Sequence, residues 1–253
     1  MENRVYAIIC NHNYGHYIKY AIDGIKKQTY HTVPVIIDDS STDNSWELIN
    51  KEFDNSYQEK HTEQCLVRYN DKLIAIKTRQ TSGPSHCRNL GIQFIWPNFS
   101  HVLICDADDV PYPNKAEKLL KIFEENESVG LAYGDYDILN VNTGNIIREF
   151  KEPYSKIRLN QDCIVHSNFM ISQKALEYIF EPTGWYDVNL RCVEDWDVEL
   201  RVSERFLLMH IAESLTLVRN HNNNSTNSVN KEIWQQCWTR VNQKMQQRYA
   251  NQR

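Results

Sequence analysis

Residues 101–113 read HVLICDADDVPYP, a short apolar run followed at once by clustered carboxylates. The run 101–105 is typical of a buried strand, and Asp106, Asp108 and Asp109 come directly after it. Because like charges this close repel one another, a hard divalent cation with oxygen ligands would stabilise them. The alternative is that Asp108 makes turn hydrogen bonds before Pro111. For the three acids together we favour a Mg²⁺ or Mn²⁺ site.

Three earlier runs have the same apolar character and cover residues 5–10, 33–37 and 73–77. Segments with helical spacing of apolar residues lie at 18–25, 46–53, 87–94 and 116–123. This alternation predicts an α/β fold with a mostly parallel central sheet and helices on both faces. Farther along, the sequence predicts strands at 130–133 and 145–150, helices at 172–180 and from 194, and a polar loop at 220–230. These elements are typical of an α+β half.

The composition narrows the class of protein. The chain has 253 residues, 41% hydrophobic and 24% charged, which is ordinary for a globular protein. Its formal charge of −5 argues against general binding to nucleic acid. No apolar run approaches the ~20 residues that span a bilayer, and no secretory signal is visible. Seven cysteines without a C-x-x-C pair favour reduced thiols, so we expect a cytoplasmic protein.

Four motifs, in order, resemble the family 2 glycosyltransferases of the GT-A fold. They are residues 8–13, the run VIIDDSSTD at 35–43, RNLGI at 88–92 and the stretch at 103–113. GWYD at 184–187 and VEDWDVELR at 193–201 are similar to the acceptor-side motif of these enzymes. The resemblance implies one Rossmann-like GT-A domain over 1–230, with a nucleotide-binding half to about 113 and an acceptor-side half over 114–230. A C-terminal amphipathic helix over 231–253 follows it.

The resemblance implies a role for each matching position. It assigns nucleotide binding to Cys10, Asn11, Asp39, Arg88, Asp106 and Ala107. Asp39 matches the carboxylate that recognises the base, whereas Asp43 is better explained by turn or cap hydrogen bonds. Arg88 would contact the pyrophosphate, although an arginine paired with a nearby acid explains it equally well. Asp108 would bind the metal directly, with Asp109 in support.

The acceptor side carries the second chemical centre. Asp195 matches the catalytic base, and the simpler alternative, an acid in the first turn of a helix, is compatible with that role. Glu194 and Trp185 are predicted in the pocket for the donor sugar and acceptor. His221 resembles the late histidine that completes the metal shell, and the alternative is an exposed residue of an Asn-rich loop.

The resemblance therefore implies an inverting, metal-dependent glycosyltransferase. It would move a sugar from a nucleotide sugar, UDP-linked, to a hydroxyl of a glycan, a lipid-linked glycan or another acceptor. One alternative is a catalytically silent homologue that binds a nucleotide sugar or glycan. Another is a nucleotidyltransferase, which is disfavoured because residues 10–14 contain no glycine for a phosphate loop.

The predicted C-terminal helix has one apolar face, formed by Trp234, Trp238, Val241 and Met245, and a basic opposite face. Such a helix would lie on a membrane surface, pack on its own domain or contact a second copy of the chain. We favour packing on the domain or a dimer contact over the membrane.

Overall fold

The computed structural model describes residues 4–54, 56–165, 167–222, 224 and 229–251. Its strands are β1 Val5–Asn11, β2 Thr32–Asp38, β3 Gln58–His61, β4 Cys65–Tyr69, β5 Ile74–Thr78, β6 His101–Asp106, β7 Val110–Pro111, β8 Val129–Asn140, β9 Ile146–Glu149, β10 Met170–Ser172 and β11 Leu207–Asn220. Its helices are α1 Ile18–Lys26, α2 Ser45–Asn50, α3 Pro84–Ile95, α4 Lys115–Glu125, α5 Lys156–Leu159, α6 Gln173–Ile179, α7 Glu194–Val202 and α8 Lys231–Asn251.

The centre of the sheet is parallel, as the alternating pattern predicted. Strands run in the order β5-β2-β1-β6, and each adjacent pair is parallel. Every residue of β2 is buried, which is why its sequence is almost continuously apolar. The carboxyl ends of β1, β2 and β6 therefore lie side by side at one edge of the sheet.

Antiparallel strands extend the sheet on both sides. β4 and then β3 continue it beyond β5, while β10, β8, β11 and β7 follow β6 in that order. The β8–β11 pair is parallel, and β9 pairs with β8 off the main path. The predicted strand at 130–133 is the first part of the much longer β8, which reaches from the core to the edge of the candidate site.

Helices cover both faces of the sheet, and alternate residues of β1 divide between the two cores. Tyr6 and Ile8 pack with α3, α6, α7 and α8, whereas Ala7 and Ile9 pack with α1 and α4. Helix α7 is buried nearly all round instead of on one face, because α6 and α8 pack against it as well as the sheet. None of the described helices is long and apolar enough to cross a membrane.

The C-terminal helix α8 packs on its own chain, the interpretation favoured above over a membrane surface. Cys237 and Val241 are buried in the core. Lys244 Nζ donates to Asp197 at 2.9 Å and to Asp187 at 3.2 Å, and Arg240 donates to Asp187 at 2.9 Å. Several cations of the basic face are thus paired with acids of the same chain. Arg253 and the loop residues 223 and 225–228 lie outside the described residues.

Candidate active site

A cavity of about 1000 Å³ opens at the carboxyl ends of β1, β2 and β6. Its walls include every predicted nucleotide-binding position, together with Asp108, Asp109, Glu194 and Asp195. Residues from β8 and β11 and from the start of α8 complete it. Its size suits a ligand the size of a nucleotide sugar.

The ends of β1 and β2 are fastened to each other by side-chain hydrogen bonds. Asn11 is buried, and its Nδ2 donates to Asp38 Oδ1 at 2.8 Å and to Ser41 Oγ at 3.2 Å. The Asn11 carbonyl accepts from the Asp39 amide at 2.8 Å. Asp43 accepts from the Ser45 amide at 2.9 Å, which confirms its predicted turn or cap role. Asn11 therefore shapes the pocket through its backbone and the strands it holds.

Asp39 anchors the loop that enters α3. Its Oδ2 accepts from the amides of Gly83 at 2.8 Å and Ser82 at 3.0 Å, and its Oδ1 accepts from Ser82 at 3.0 Å and from Thr78 Oγ1 at 3.1 Å. Sequence reasoning gave no signal for these partners. A nucleobase that hydrogen-bonds to Asp39 would have to share this carboxylate with the backbone amides of the loop.

Asp106 at the end of β6 and Asp108 just after it have different surroundings. Asp106 is the more exposed, and its two oxygens accept from Ser167 Oγ at 2.5 Å and from Arg88 Nη2 at 3.3 Å. Asp108 is buried, and its Oδ2 lies 3.0 Å from His221 Nε2 and 3.0 Å from Asn224 Nδ2. Burial and the charge of Asp106 raise the pKa of Asp108, and His221 opposes the shift. A cation bound at Asp108 would stabilise the charged form of this carboxyl and so lower its pKa.

Asp109 ties the loop after β6 to β11. It is buried, and its oxygens accept from the Arg219 amide at 3.1 Å and from Asn168 Nδ2 at 2.8 Å. Asn168 in turn accepts from Lys115 Nζ at 3.3 Å, and that lysine is fully buried. Asp109 thus has protein partners on both oxygens and acts as a support for Asp108.

His221 lies beside Asp108, and this contact brings two predicted metal ligands together. Its ring stacks on Tyr17 with centroids 5.0 Å apart. No three His, Cys, Asp or Glu side chains converge as a metal cluster anywhere in the described ranges. However, Mg²⁺ and Mn²⁺ sites often use one or two protein ligands plus substrate phosphates. One carboxylate oxygen and one imidazole nitrogen at 3.0 Å fit that donor set.

Arg88 connects the two chemical centres. It is buried on α3, and its Nη1 contacts Glu194 at 2.5 Å and Asp195 at 3.5 Å, while Nη2 reaches Asp106. Its guanidinium also lies over the ring of Tyr186, 5.2 Å from the centroid. Of the two interpretations of Arg88, pairing with acids describes its contacts, and all three acids line the cavity.

Asp195 lines the cavity from the first turn of α7. Burial raises its pKa to about 8; Arg88 opposes the shift, and the charges of Glu194 and Asp106 add to it. Its Oδ1 has no hydrogen-bond partner among the described residues. The helix follows Val193, a β-branched residue at φ 54°, a conformation that costs energy and occurs mainly where function or packing requires it.

A second buried carboxylate stands one turn behind Asp195. Glu199 is fully buried, and burial together with the charge of Asp195 raises its pKa to about 8. The Cys163 thiol lies 3.7 Å from Glu199 Oε1. Sequence reasoning missed this residue, although its i, i+4 spacing from Asp195 was visible.

Trp185 does not line the cavity. It is buried against Trp96 and Phe180, with ring centroids 5.3 and 5.0 Å away. Aromatic side chains that do line the cavity include Tyr136 of β8 and, on α8, Trp234 and Trp238. The sequence places these two residues on one helix face but does not say where that face packs.

The chain belongs to glycosyltransferase family 2, because the profile described as Glycosyl transferase family 2 matches residues 6–180. It is 27% identical over 206 residues to an uncharacterized glycosyltransferase from Methanocaldococcus jannaschii, covering 77% of this chain and 65% of that protein. It is 31% identical over 144 residues to another from Nostoc sp., covering 56% of this chain and 39% of that protein. The chain thus spans less than two thirds of these relatives.

Solved structures show the GT-A fold. TarS 1-349 of S. aureus in complex with UDP-GlcNAc has a TM-score of 0.68 and 14% identity, covering 92% of this chain and 64% of that one. The mannosyltransferase PcManGT from Pyrobaculum calidifontis, in complex with GDP-Man and Mn²⁺, has a TM-score of 0.61 and 16% identity, covering 86% and 57%. The resemblance inferred from the motifs is confirmed.

Proposed function

We propose that this chain is an inverting, metal-dependent glycosyltransferase that moves a sugar from a UDP-linked donor to a hydroxyl of a glycan, lipid-linked glycan or other acceptor. The observation that carries the proposal is the pair of centres in one cavity. Asp195 lines the cavity with a carboxyl whose Oδ1 lies 3.5 Å from Arg88 Nη1, and Asp108 lines the same cavity and lies beside His221. A base and a cation site on one cavity are what direct displacement at an anomeric carbon requires.

Asp195 supplies the base in this proposal. A carboxyl with a pKa near 8 holds a proton more tightly than an exposed one, so it is a strong acceptor once ionised. It accepts the proton of the acceptor hydroxyl as that oxygen bonds to the anomeric carbon. The bond from that carbon to the diphosphate breaks on the opposite side, which inverts the configuration.

Asp108 and His221 would hold the divalent cation, Mn²⁺ or Mg²⁺. When bound, the cation stabilises the charge that grows on the leaving diphosphate. Asp109 and Asn168 keep the loop after β6 in place, and Asp106 lies between this loop and Arg88. The nucleotide would occupy the part of the cavity that Asn11 and Asp39 line.

The test is a thermal-shift screen of nucleotide sugars, including UDP-GlcNAc, UDP-Glc and GDP-Man, with and without Mn²⁺. We expect one UDP-sugar to raise the melting temperature, and the increase to need the metal. The same donor is then incubated with the enzyme and candidate pyranoside acceptors, and released UDP is measured. Binding without release in wild type would favour the catalytically silent alternative, and no stabilisation by any donor would contradict the proposal. The anomeric coupling constant of the product tests inversion.

A further inference from the structure

The start of α8 forms an aromatic wall of the cavity on the side of Asp195. Trp234 and Trp238 stand one helical turn apart, and both line the cavity. Both are half-buried, so part of each ring is available to a ligand. The cavity therefore has an apolar surface that none of the nucleotide-binding or metal-binding residues provides.

The helix that carries these two tryptophans is packed against α7, the helix that carries Asp195. The Trp238 ring stacks on Trp196, the residue after Asp195, with centroids 4.2 Å apart and planes at 30°. The Cys237 thiol interacts with that of Cys192, just before α7. Lys244 and Asp197 join the same two helices farther along. Trp234 is thus carried by a helix that is fixed against α7, and its distance from Asp195 is set by packing.

The chemistry around Trp234 selects the kind of ligand. An aromatic face beside carboxylates matches a pyranose ring, which offers C–H groups to the aromatic face and hydroxyls to the acids. Asp162, Glu194 and Asp195 line the cavity with it, opposed by the exposed Arg191. Arg88 is paired with Glu194, and Arg191 lines the cavity with the remaining acids, so this side carries little net charge, which suits a neutral sugar.

We infer that Trp234 is the stacking platform for a neutral pyranose of the acceptor, and that it sets acceptor specificity beside Asp195. The inference rests on the proposed function, since it assigns the acceptor of that reaction. Trp238 acts as a positioning residue, because its ring is stacked on Trp196.

The experiment measures binding of methyl β-glucopyranoside, methyl β-galactopyranoside and methyl β-N-acetylglucosaminide by saturation-transfer NMR. The samples contain UDP and Mn²⁺, and the proteins are wild type, W234A, W234M and W234F. The matched control is W46A, because Trp46 is also half-buried on a helix but is not part of the cavity wall. Melting temperatures of all variants verify folding, and W234M fills the site without an aromatic face.

We expect saturation transfer to the ring C–H protons of at least one pyranoside in wild type. Its dissociation constant should rise roughly 10-fold in W234A and W234M, less in W234F, and not at all in W46A. Donor binding should be unchanged in every variant. Equal pyranoside binding by wild type and W234M, or no pyranoside binding by wild type, would overturn the inference. If nucleotide sugars still bind, the proposed function survives that result, whereas loss of donor binding in wild type would count against the function itself.

Discussion

Replacing Asp195 with Asn is expected to slow sugar transfer strongly and to stabilise the fold at alkaline pH. Burial raises the pKa of this carboxyl from 3.8 to about 8. The folded protein therefore keeps a proton on Asp195 that the unfolded chain releases near pH 4. The contribution of this group to the free energy of unfolding therefore falls as the pH rises from about 4 to about 8. Above pH 8 the full cost of the buried charge is present. Asn carries no charge at any pH, so D195N avoids this cost.

The magnitude follows from the size of the shift. A change of about 4 units corresponds to a ceiling of roughly 6 kcal/mol at ~1.4 kcal/mol per unit. Because Arg88 is close and water that enters the cavity screens the charge, we expect roughly 2–3 kcal/mol at pH 9. At pH 5 the difference should be small. Loss of the base should lower the transfer rate by about 10²–10⁴-fold, with donor affinity unchanged.

The assay is urea denaturation of wild type, D195N and D162N at pH 5, 7 and 9, with UDP release measured in parallel. Asp162 is the matched control, because it is an exposed carboxylate on the same cavity. D162N should follow wild type in stability at each pH. The reasoning is refuted if D195N is no more stable than wild type at pH 9, or if the difference does not grow with pH.

Four other substitutions test the remaining parts of the site and the packing of α8. D108N and H221A should each weaken Mn²⁺-dependent binding of the nucleotide sugar by at least ~10-fold, and calorimetry that found both unchanged would remove them from the metal site. R88K keeps the charge but cannot span the acids of β6 and α7, so urea denaturation at pH 7 should show a loss of about 2–3 kcal/mol. K244M leaves Asp197 with fewer partners and should cost about 1–2 kcal/mol by the same measurement, and an unchanged midpoint would mean that the Lys244 ion pairs do not stabilise the packing of α8.

The parts of the fold with strong periodicity could be predicted from the sequence. Strands β1, β2, β5 and β6 are buried on both faces, so their apolar runs stand out, and parallel strands must bring their carboxyl ends together. The hairpin of β3 and β4 could not be predicted in the same way. All of β3 is exposed, and its sequence QEKH carries no alternation. Strand β10 has only three residues and is fixed by its neighbours β6 and β8.

The sequence does not predict which side chains that are far apart in the chain contact each other in the site. The acids after β6 were visible as a cluster, but the link of Arg88 to Glu194 spans 106 residues and depends on how α3 and α7 pack. The positions of Trp185 and Trp234 also depend on tertiary packing. The first lies in the acceptor-side motif and the second on the C-terminal helix, and the sequence does not say which of them faces the cavity. Only the tertiary structure shows that the first faces Trp96 and the second faces the cavity.

The arrangement of cations around the cavity bears directly on the proposed metal dependence. The arginines that line it within the described ranges are Arg88, Arg191 and Arg219. Arg88 is engaged by buried acids, and Arg219 Nη1 donates to the Asp108 carbonyl at 2.7 Å while its guanidinium lies near Tyr20. A diphosphate beside the acids at the end of β6 would therefore meet repulsion that Arg88 and Arg219 cannot offset without giving up these partners. A divalent cation held by Asp108 would reduce this repulsion, because its charge would offset much of the charge on Asp108 and the diphosphate.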